Sequence, residues 1–275
     1  MATTAQARFS LLSSAFIAIY LVSLLYTELS RRTGIPAIPV HVNIWFTMCV
    51  MGAAMTSGFI LLGYGRTFLF WGIATTLAWG AEQAGVATGL IFGHYHYTAL
   101  SGPRLGNVPV LIPAGWFMML YPSHVIASLC IHGKPSVVPR NAGIAIALSA
   151  VTGIVMTAWD LVVDPGAARV GGQWVWEEQG AYFGVPLKNY AGWVGVSFVV
   201  ALSWRIVEMR RPFVAAQPVS RHAAALPLFI YGAVMLGSIQ FTRIPAVGLI
   251  GCFAMGIPLF IAALRSGSNP KSFDN

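Results

Sequence analysis

The chain has 275 residues, of which 57% are hydrophobic and 9% charged, and its net charge is +8. Soluble domains have about 25% charged residues, so this composition excludes a soluble enzyme or binding module. The basic residues stand in short breaks between apolar runs and form no patch with interleaved aromatic residues, which argues against nucleic-acid binding. The composition therefore predicts an integral membrane protein.

Apolar runs of the length that a membrane span needs recur along the whole chain. A spanning helix takes about 20 residues, and such runs occupy residues 10–30, 41–63, 67–93, 108–131, 142–164, 189–209, 224–242 and 244–264. We expect an all-α polytopic helical bundle with about eight transmembrane helices. It should form a single domain over residues 1–275, with 265–275 as a flexible tail.

The distribution of basic residues predicts the orientation of this bundle. With a cytoplasmic N-terminus, ten of the 16 lysine and arginine residues fall on the cytoplasmic side, and the six on the opposite side are Arg31, Arg32, Arg104, Arg169, Lys188 and Arg243. This bias predicts that both termini are cytoplasmic. The two longest loops, 94–107 and 165–188, should then emerge together on the outer face. Both are rich in glycine, proline and aromatic residues, which is typical of functional loops.

A carboxylate within a membrane span is costly and marks a functional site by default, and three acidic residues of the predicted spans are the candidates. They are Glu82 in the third span and Asp160 and Asp164 in the fifth. The two aspartates of "WDLVVDP" are four residues apart, so they share a helical face with Cβ atoms about 5–6 Å apart. We expect one of them to keep its proton near neutral pH and to serve as an acid without a metal. Pro165 predicts that the helix ends there.

The aspartates also admit other interpretations. They could pair with arginine or cap loop backbone in a purely structural role. D-x-x-x-D on a membrane helix is also how intramembrane prenyltransferases hold magnesium and a diphosphate, but that needs a second acidic cluster. Only Glu82 or the loop pair Glu177–Glu178 could supply one. A non-catalytic transporter or lipid-binding protein would instead use the acidic residues for proton coupling.

No metal site is predicted from the histidines and cysteines. The three cysteines have no CxxC spacing, and His94 and His96 lack the i, i+4 spacing of a helical metal pair. The tryptophans are more informative, because Trp79 and Trp159 lie close in sequence to intramembrane carboxylates. An acid next to an aromatic face can protonate an alkene, and the face then stabilises the resulting cation.

Four stretches in order carry a resemblance to a known family. They read "GVATGLIFGHYHYT", "VPVLIPAGWFMMLYPS", "WDLVVDP" and "WVWEEQGAYFGVPLKNYAGW". Together, over about residues 80–195, they resemble the membrane-bound carotenoid 1,2-hydratases that act on γ-carotene, lycopene-type ends and bisanhydrobacterioruberin. The resemblance implies cofactor-free addition of water across the terminal C1=C2 double bond of an acyclic carotenoid end, which gives a tertiary alcohol.

The resemblance and the residues together give the expected site. One of Asp160 and Asp164 should be the acid, and the other, or Glu82, should orient the water. The residues expected to bind substrate are Trp79, His94, Tyr97, His124, Trp159, Trp174, Trp176, Tyr182 and Asn189, with Glu177 and Glu178 as secondary candidates. The expected partners are a carotenoid, water, the bilayer and other carotenoid-pathway enzymes, with no cofactor, metal or nucleic acid. The expected location is the cell membrane of a prokaryote.

Overall fold

The structure is a computed structural model that describes residues 4–36, 42–211 and 219–267. The predicted tail therefore lies outside the described residues from position 268 onward. The helices are α1 Thr4–Thr33, α2 Val42–Leu61, α3 Tyr64–Thr88, α4 Leu111–His132, α5 Ala142–Arg169, α6 Leu187–Arg210, α7 Arg221–Thr242 and α8 Pro245–Gly267. The prediction of an all-α polytopic helical bundle is confirmed.

Seven of the helices found in the described ranges are long and apolar enough to cross a membrane. The exception is α3, which has Arg66, Glu82 and Gln83 among its 25 residues. An apolar third span was predicted, and a helix is found at that place, but its polar residues reduce its apolar character. Two of those residues serve the structure described below, because Glu82 is buried in the bundle and Gln83 binds a loop.

Helix α5 is the centre of the bundle, since it packs against α4, α6, α7 and α8. Its approach to α6 is close at Gly153, where an added Cβ would lie 2.9 Å from the backbone oxygen of Val194. Small residues at such crossings let membrane helices pack backbone to backbone. The close packing fixes the last turns of α5 against the first turns of α6, where the candidate site lies.

Four short strands join the two long loops at one end of the bundle. They are β1 Tyr95–Tyr97, β2 Arg104–Leu105, β3 Val108–Pro109 and β4 Trp174–Trp176. Strands β1 and β4 pair antiparallel with His96 opposite Val175, and β2 and β3 form a hairpin. The two loops therefore lie together, as predicted. We call residues 89–110 and 170–186 the cap.

The hairpin of the cap is held onto α3 by two side chains. The indole Nε1 of Trp79 donates to the backbone oxygen of Leu105 at 3.2 Å, and the amide Nε2 of Gln83 donates to the same oxygen at 2.5 Å. The Gln83 Oε1 atom accepts from the backbone N–H of Asn107 at 3.1 Å. These contacts fix the cap over the end of α3 that carries Glu82.

The predicted end of α5 at Pro165 is wrong, because the helix continues through this residue to Arg169. A proline within a helix has no N–H to donate to the carbonyl four residues earlier, here that of Leu161. The hydroxyl of Tyr182, in the cap, donates to this carbonyl at 3.2 Å. A partner from another segment thus replaces the lost hydrogen bond and lets the helix continue.

Candidate active site

Glu82 lies in the last two turns of α3 with its carboxylate surrounded by three donors. The hydroxyls of Tyr95 and Tyr97 donate to Oε2 at 2.5 and 2.8 Å. The indole Nε1 of Trp116, on α4, donates to Oε1 at 3.2 Å. Glu82 is only 3% exposed. Since all three neighbours donate, their hydrogen bonds stabilise the ionised form of this carboxyl group against the cost of its burial.

The alternation of β1 explains how two tyrosines reach one carboxylate. Side chains on a strand point alternately to its two faces, and in β1 Tyr95 and Tyr97 are buried while His96 between them is exposed. Burial, followed by the charge of Glu82, raises the pKa of both phenols above the ordinary tyrosine value. The hydroxyls therefore keep their protons and act as donors.

Asp160 and Asp164 form a second carboxyl group cluster, bridged by an amide from α6. The Nδ2 atom of Asn189 donates to Oδ2 of Asp160 at 2.9 Å and to Oδ2 of Asp164 at 2.5 Å. Two carboxyl groups held this close together cannot both ionise easily, so one of them is expected to keep its proton. All three residues are at most 4% exposed. The pair is therefore arranged as an acid, whereas Glu82 is arranged as a base.

Both clusters meet at one cavity of about 600 Å³. Glu82, Asp164 and Asn189 line it, but Asp160 does not and lies behind Asp164. The indoles in the wall of the cavity belong to Trp116, Trp159, Trp174, Trp176 and Trp193. A cavity of this size with a few polar groups in an apolar wall is typical of small-molecule sites.

Three of these indoles contact one another in the wall of the cavity. The rings of Trp116 and Trp193 are parallel, with centroids 4.2 Å apart, and Trp159 meets Trp193 edge to face at 5.9 Å. The Nε1 atom of Trp159 donates to the hydroxyl of Ser238, on α7, at 3.1 Å. These contacts hold the indoles rigidly beside the carboxyl groups.

The residues predicted from the sequence divide into two groups in the structure. Those that line the cavity are Glu82, Tyr97, Trp159, Asp164, Trp174, Trp176 and Asn189. Those outside it include Trp79 and Tyr182, whose polar atoms bind backbone carbonyls. His94 is exposed, and His124 is buried 3.7 Å from Glu208 at the other end of the bundle.

The loop carboxylates do not face the aspartates. Glu177 and Glu178 are both exposed, and Glu177 lies 3.8 Å from the exposed ring of His96. Within the described residues, no group of three or more histidine, cysteine, aspartate or glutamate side chains is placed to hold a metal ion.

Sequence reasoning did not assign the partners of Glu82. Tyr95 is not among the residues expected from the sequence to bind substrate, and Trp116 lies on a helix whose position relative to α3 the sequence does not reveal. The signal for Tyr95 was the alternation of "YHY", which places both tyrosines on one face of a strand.

One comparison with known proteins identifies a family. The family model described as carotenoid biosynthesis protein matches residues 40–262. The comparisons with curated proteins and with solved structures give no match. The matched range includes Glu82, Asp160, Asp164 and Asn189 and the five tryptophans of the cavity wall.

Proposed function

The chain belongs to the carotenoid biosynthesis protein family, and from this premise we propose that it is a carotenoid hydratase. It adds water to the terminal C1=C2 double bond of an acyclic carotenoid end of the γ-carotene, lycopene or bisanhydrobacterioruberin type. The observation that carries the proposal is that an aspartate pair bridged by Asn189 and a carboxylate with three donors meet at one indole-lined cavity.

The first step needs an acid that reaches the alkene. Asp164 is the aspartate that lines the cavity, so it transfers its proton to C2 while the π bond breaks. The electron pair of the π bond forms the new C–H bond, and C1 becomes a tertiary cation. The carboxylate left behind is stabilised by the amide N–H of Asn189, which donates to it.

The second step captures water at the cation. The indole faces of the cavity and the carboxylate of Glu82 attract positive charge at C1. A water oxygen bonds to C1, and Glu82 accepts the proton that this water loses. The product is a tertiary alcohol, and one molecule of water has been added.

The depth of the cavity suits a long apolar substrate. Asp164 and Glu82 lie in the last two turns of their helices, near one end of the bundle. A carotenoid that crosses a hydrocarbon layer of about 30 Å has its end groups near the two interfaces. An end group can therefore occupy the cavity while the polyene remains in the apolar part of the membrane.

The proposal is tested by expression in a host that accumulates lycopene or γ-carotene, followed by mass analysis of the pigments. We expect a product that has gained one water per reacted end. The matched variants are Asp164→Asn, which should abolish the product, and Glu177→Gln, which removes an exposed carboxylate and should leave it. An unchanged pigment would favour the binding or transport alternative.

A magnesium-dependent prenyltransferase is the catalytic alternative that the spacing of the aspartates raises. Such an enzyme would add five carbons to the pigment, and it would need a second acidic cluster facing the aspartates. Among the buried carboxylates of the described residues, only that of Glu82 joins Asp164 at the cavity from another helix. The purified protein should retain hydration in the presence of a magnesium chelator. Loss of activity on chelation, with recovery on addition of magnesium, would contradict the hydratase proposal.

A further inference from the structure

The two aspartates differ in their access to substrate. Asp164 lines the cavity, whereas Asp160 is fully buried behind it. The Oδ2 atom of Asp160 accepts from Asn189, but no donor among the described residues reaches its Oδ1 atom. Asp160 can therefore exchange a proton with Asp164 without touching the substrate.

A second buried polar atom without a partner lies close to this pair. Tyr190 follows Asn189 on α6, is 9% exposed, and its hydroxyl has no hydrogen-bond partner among the described residues. Its ring meets that of Tyr182 edge to face at 5.3 Å. The hydroxyl of Tyr182 binds the carbonyl of Leu161, next to Asp160 in the chain. The two rings thus pack over α5 at the level of the aspartates.

Two buried polar atoms without partners in the same region of the bundle need an explanation. A buried donor or acceptor without a partner costs about 1–3 kcal/mol, and buried waters commonly bridge such groups. A carboxyl oxygen and a phenolic hydroxyl are also groups that pass protons. Tyr182 is only half-buried, whereas Tyr190 is buried. The pair of rings therefore extends from the region of the aspartates to the solvent-accessible side of the cap.

The proposed reaction requires a proton to return to the aspartates. After one turnover the aspartate pair has lost a proton to C2, and Glu82 has gained one from water. Glu82 can release its proton to water in the cavity. The aspartate pair must take up a proton from elsewhere before Asp164 can act again.

We propose that Tyr190 is a proton-relay residue that reloads Asp164 through Asp160, with one water molecule bridging the Tyr190 hydroxyl and Oδ1 of Asp160. Tyr190 gives its proton through this water to Asp160 as it receives another from water at the cap, so it stays neutral. Asp160 passes its proton to Asp164, since the same amide of Asn189 holds the two carboxyl groups beside each other. No net proton is consumed, since Glu82 releases one. The inference rests on the proposed hydratase function.

The test compares Tyr190→Phe with the full-length wild-type protein in two kinetic regimes. With protein in excess over lycopene, the first turnover should match that of the wild type, because Asp164 already carries its proton. With lycopene in excess, the steady-state rate should fall at least about tenfold, because removal of a proton-transfer group slows reloading. Tyr121→Phe is the matched control, since this buried hydroxyl pairs with Ser57 at 2.9 Å and lies outside the cavity lining.

An unchanged steady-state rate would overturn the relay, and so would an equal loss in both regimes, which a positioning or structural role would cause. Asp160→Asn provides a second variant of nearly the same shape, for which the steady-state rate should also fall more than the first turnover. Failure of the wild-type protein to hydrate lycopene or γ-carotene in either regime would contradict the proposed function itself. Hydration by the wild type with no effect of Tyr190→Phe would contradict only the relay.

Discussion

Among the residues that the structure describes, two clusters of ionisable side chains are buried, one toward each end of the bundle. The first, which we call the carboxyl site, consists of Glu82, Asp160 and Asp164 beneath the cap. The second lies toward the end of the bundle opposite the cap, and for this position we call it the base cluster. It consists of His124 on α4 and Arg205 and Glu208 on α6, together with the hydroxyl of Ser128 on α4. All four side chains are at most 2% exposed. By the rule that ionisable residues within a membrane mark function, the two clusters would be equal candidates.

The base cluster contains an ion pair between Arg205 and Glu208 that is stabilised by further hydrogen bonds. The guanidinium of Arg205 donates to Glu208 Oε2 at 3.0 Å, to the hydroxyl of Ser128 at 2.7 Å and to the backbone oxygen of Val137 at 2.9 Å. The positive and negative charges therefore cancel within the cluster. None of its four residues is among those that line the cavity.

The contrast between the two clusters shows that burial of a charge does not by itself identify a reactive site. At the base cluster a cation and an anion satisfy each other across α4 and α6. At the carboxyl site three acidic groups come together without a buried cation among their hydrogen-bond partners. Two of them, Glu82 and Asp164, border space that a substrate can enter. The carboxyl site therefore differs from the base cluster in two respects: it borders a cavity, and its acidic groups are not paired with a buried cation.

The largest expected effect is on the reaction at the carboxyl site. Asp164→Asn keeps the shape of the side chain and removes the proton donor, so hydration should fall by about 10²–10⁴-fold, the usual contribution of a general acid. The measurement is hydrated carotenoid per amount of folded protein, with Glu177→Gln as the control. Full activity of the Asp164→Asn variant would remove the basis for distinguishing the two clusters.

Substitutions in the base cluster should lower the stability of the protein and should not directly affect the reaction. Arg205→Met leaves the buried Glu208 carboxylate without its cation, and loss of one partner from a buried pair costs about 3–5 kcal/mol. Thermal unfolding in detergent measures the loss, and the double variant Arg205→Met with Glu208→Leu should recover much of it. If Arg205→Met instead abolished hydration at unchanged stability, the base cluster would be part of the active site.

The indole wall should contribute less than the acid. Trp159→Leu removes an aromatic face beside the carboxyl groups, and a desolvated cation–π contact contributes about 2 kcal/mol, which corresponds to about a 30-fold lower rate constant. Trp71→Leu is the control, since Trp71 is 39% exposed on the outside of α3. Equal effects of the two substitutions on kcat would contradict a role for Trp159 in stabilising a cation.

The smallest expected effect concerns the attachment of the cap. Trp79→Phe removes one hydrogen bond to the carbonyl of Leu105, which Gln83 continues to bind, so the stability loss should be about 1 kcal/mol. Unfolding in detergent and the hydration rate check this together. A loss of rate as large as that of Trp159→Leu would indicate that Trp79 contacts the substrate, as the sequence had predicted.

The helices and the acidic residues could be predicted because they depend on local pattern. Apolar runs separated by basic breaks predict spans, and the i, i+4 spacing places Asp160 and Asp164 on one face. The convergence of Glu82 with Asp164 could not be predicted, because it depends on how α3, α5 and the cap pack. The role of His124 was equally hidden, since Glu208 lies on another helix. Pro165 misled for the same reason, because Tyr182 supplies its replacement bond from a distant segment.

The central claim is that the carboxyl site adds the oxygen of water to a carotenoid end. The most direct measurement is the reaction of the purified protein with lycopene or γ-carotene in oxygen-18-labelled water, analysed by mass spectrometry. We expect one labelled oxygen in a tertiary hydroxyl for each reacted end, and no labelled product with Asp164→Asn. A product hydroxyl that carries no label, or labelled product from the Asp164→Asn variant at the wild-type rate, would contradict it.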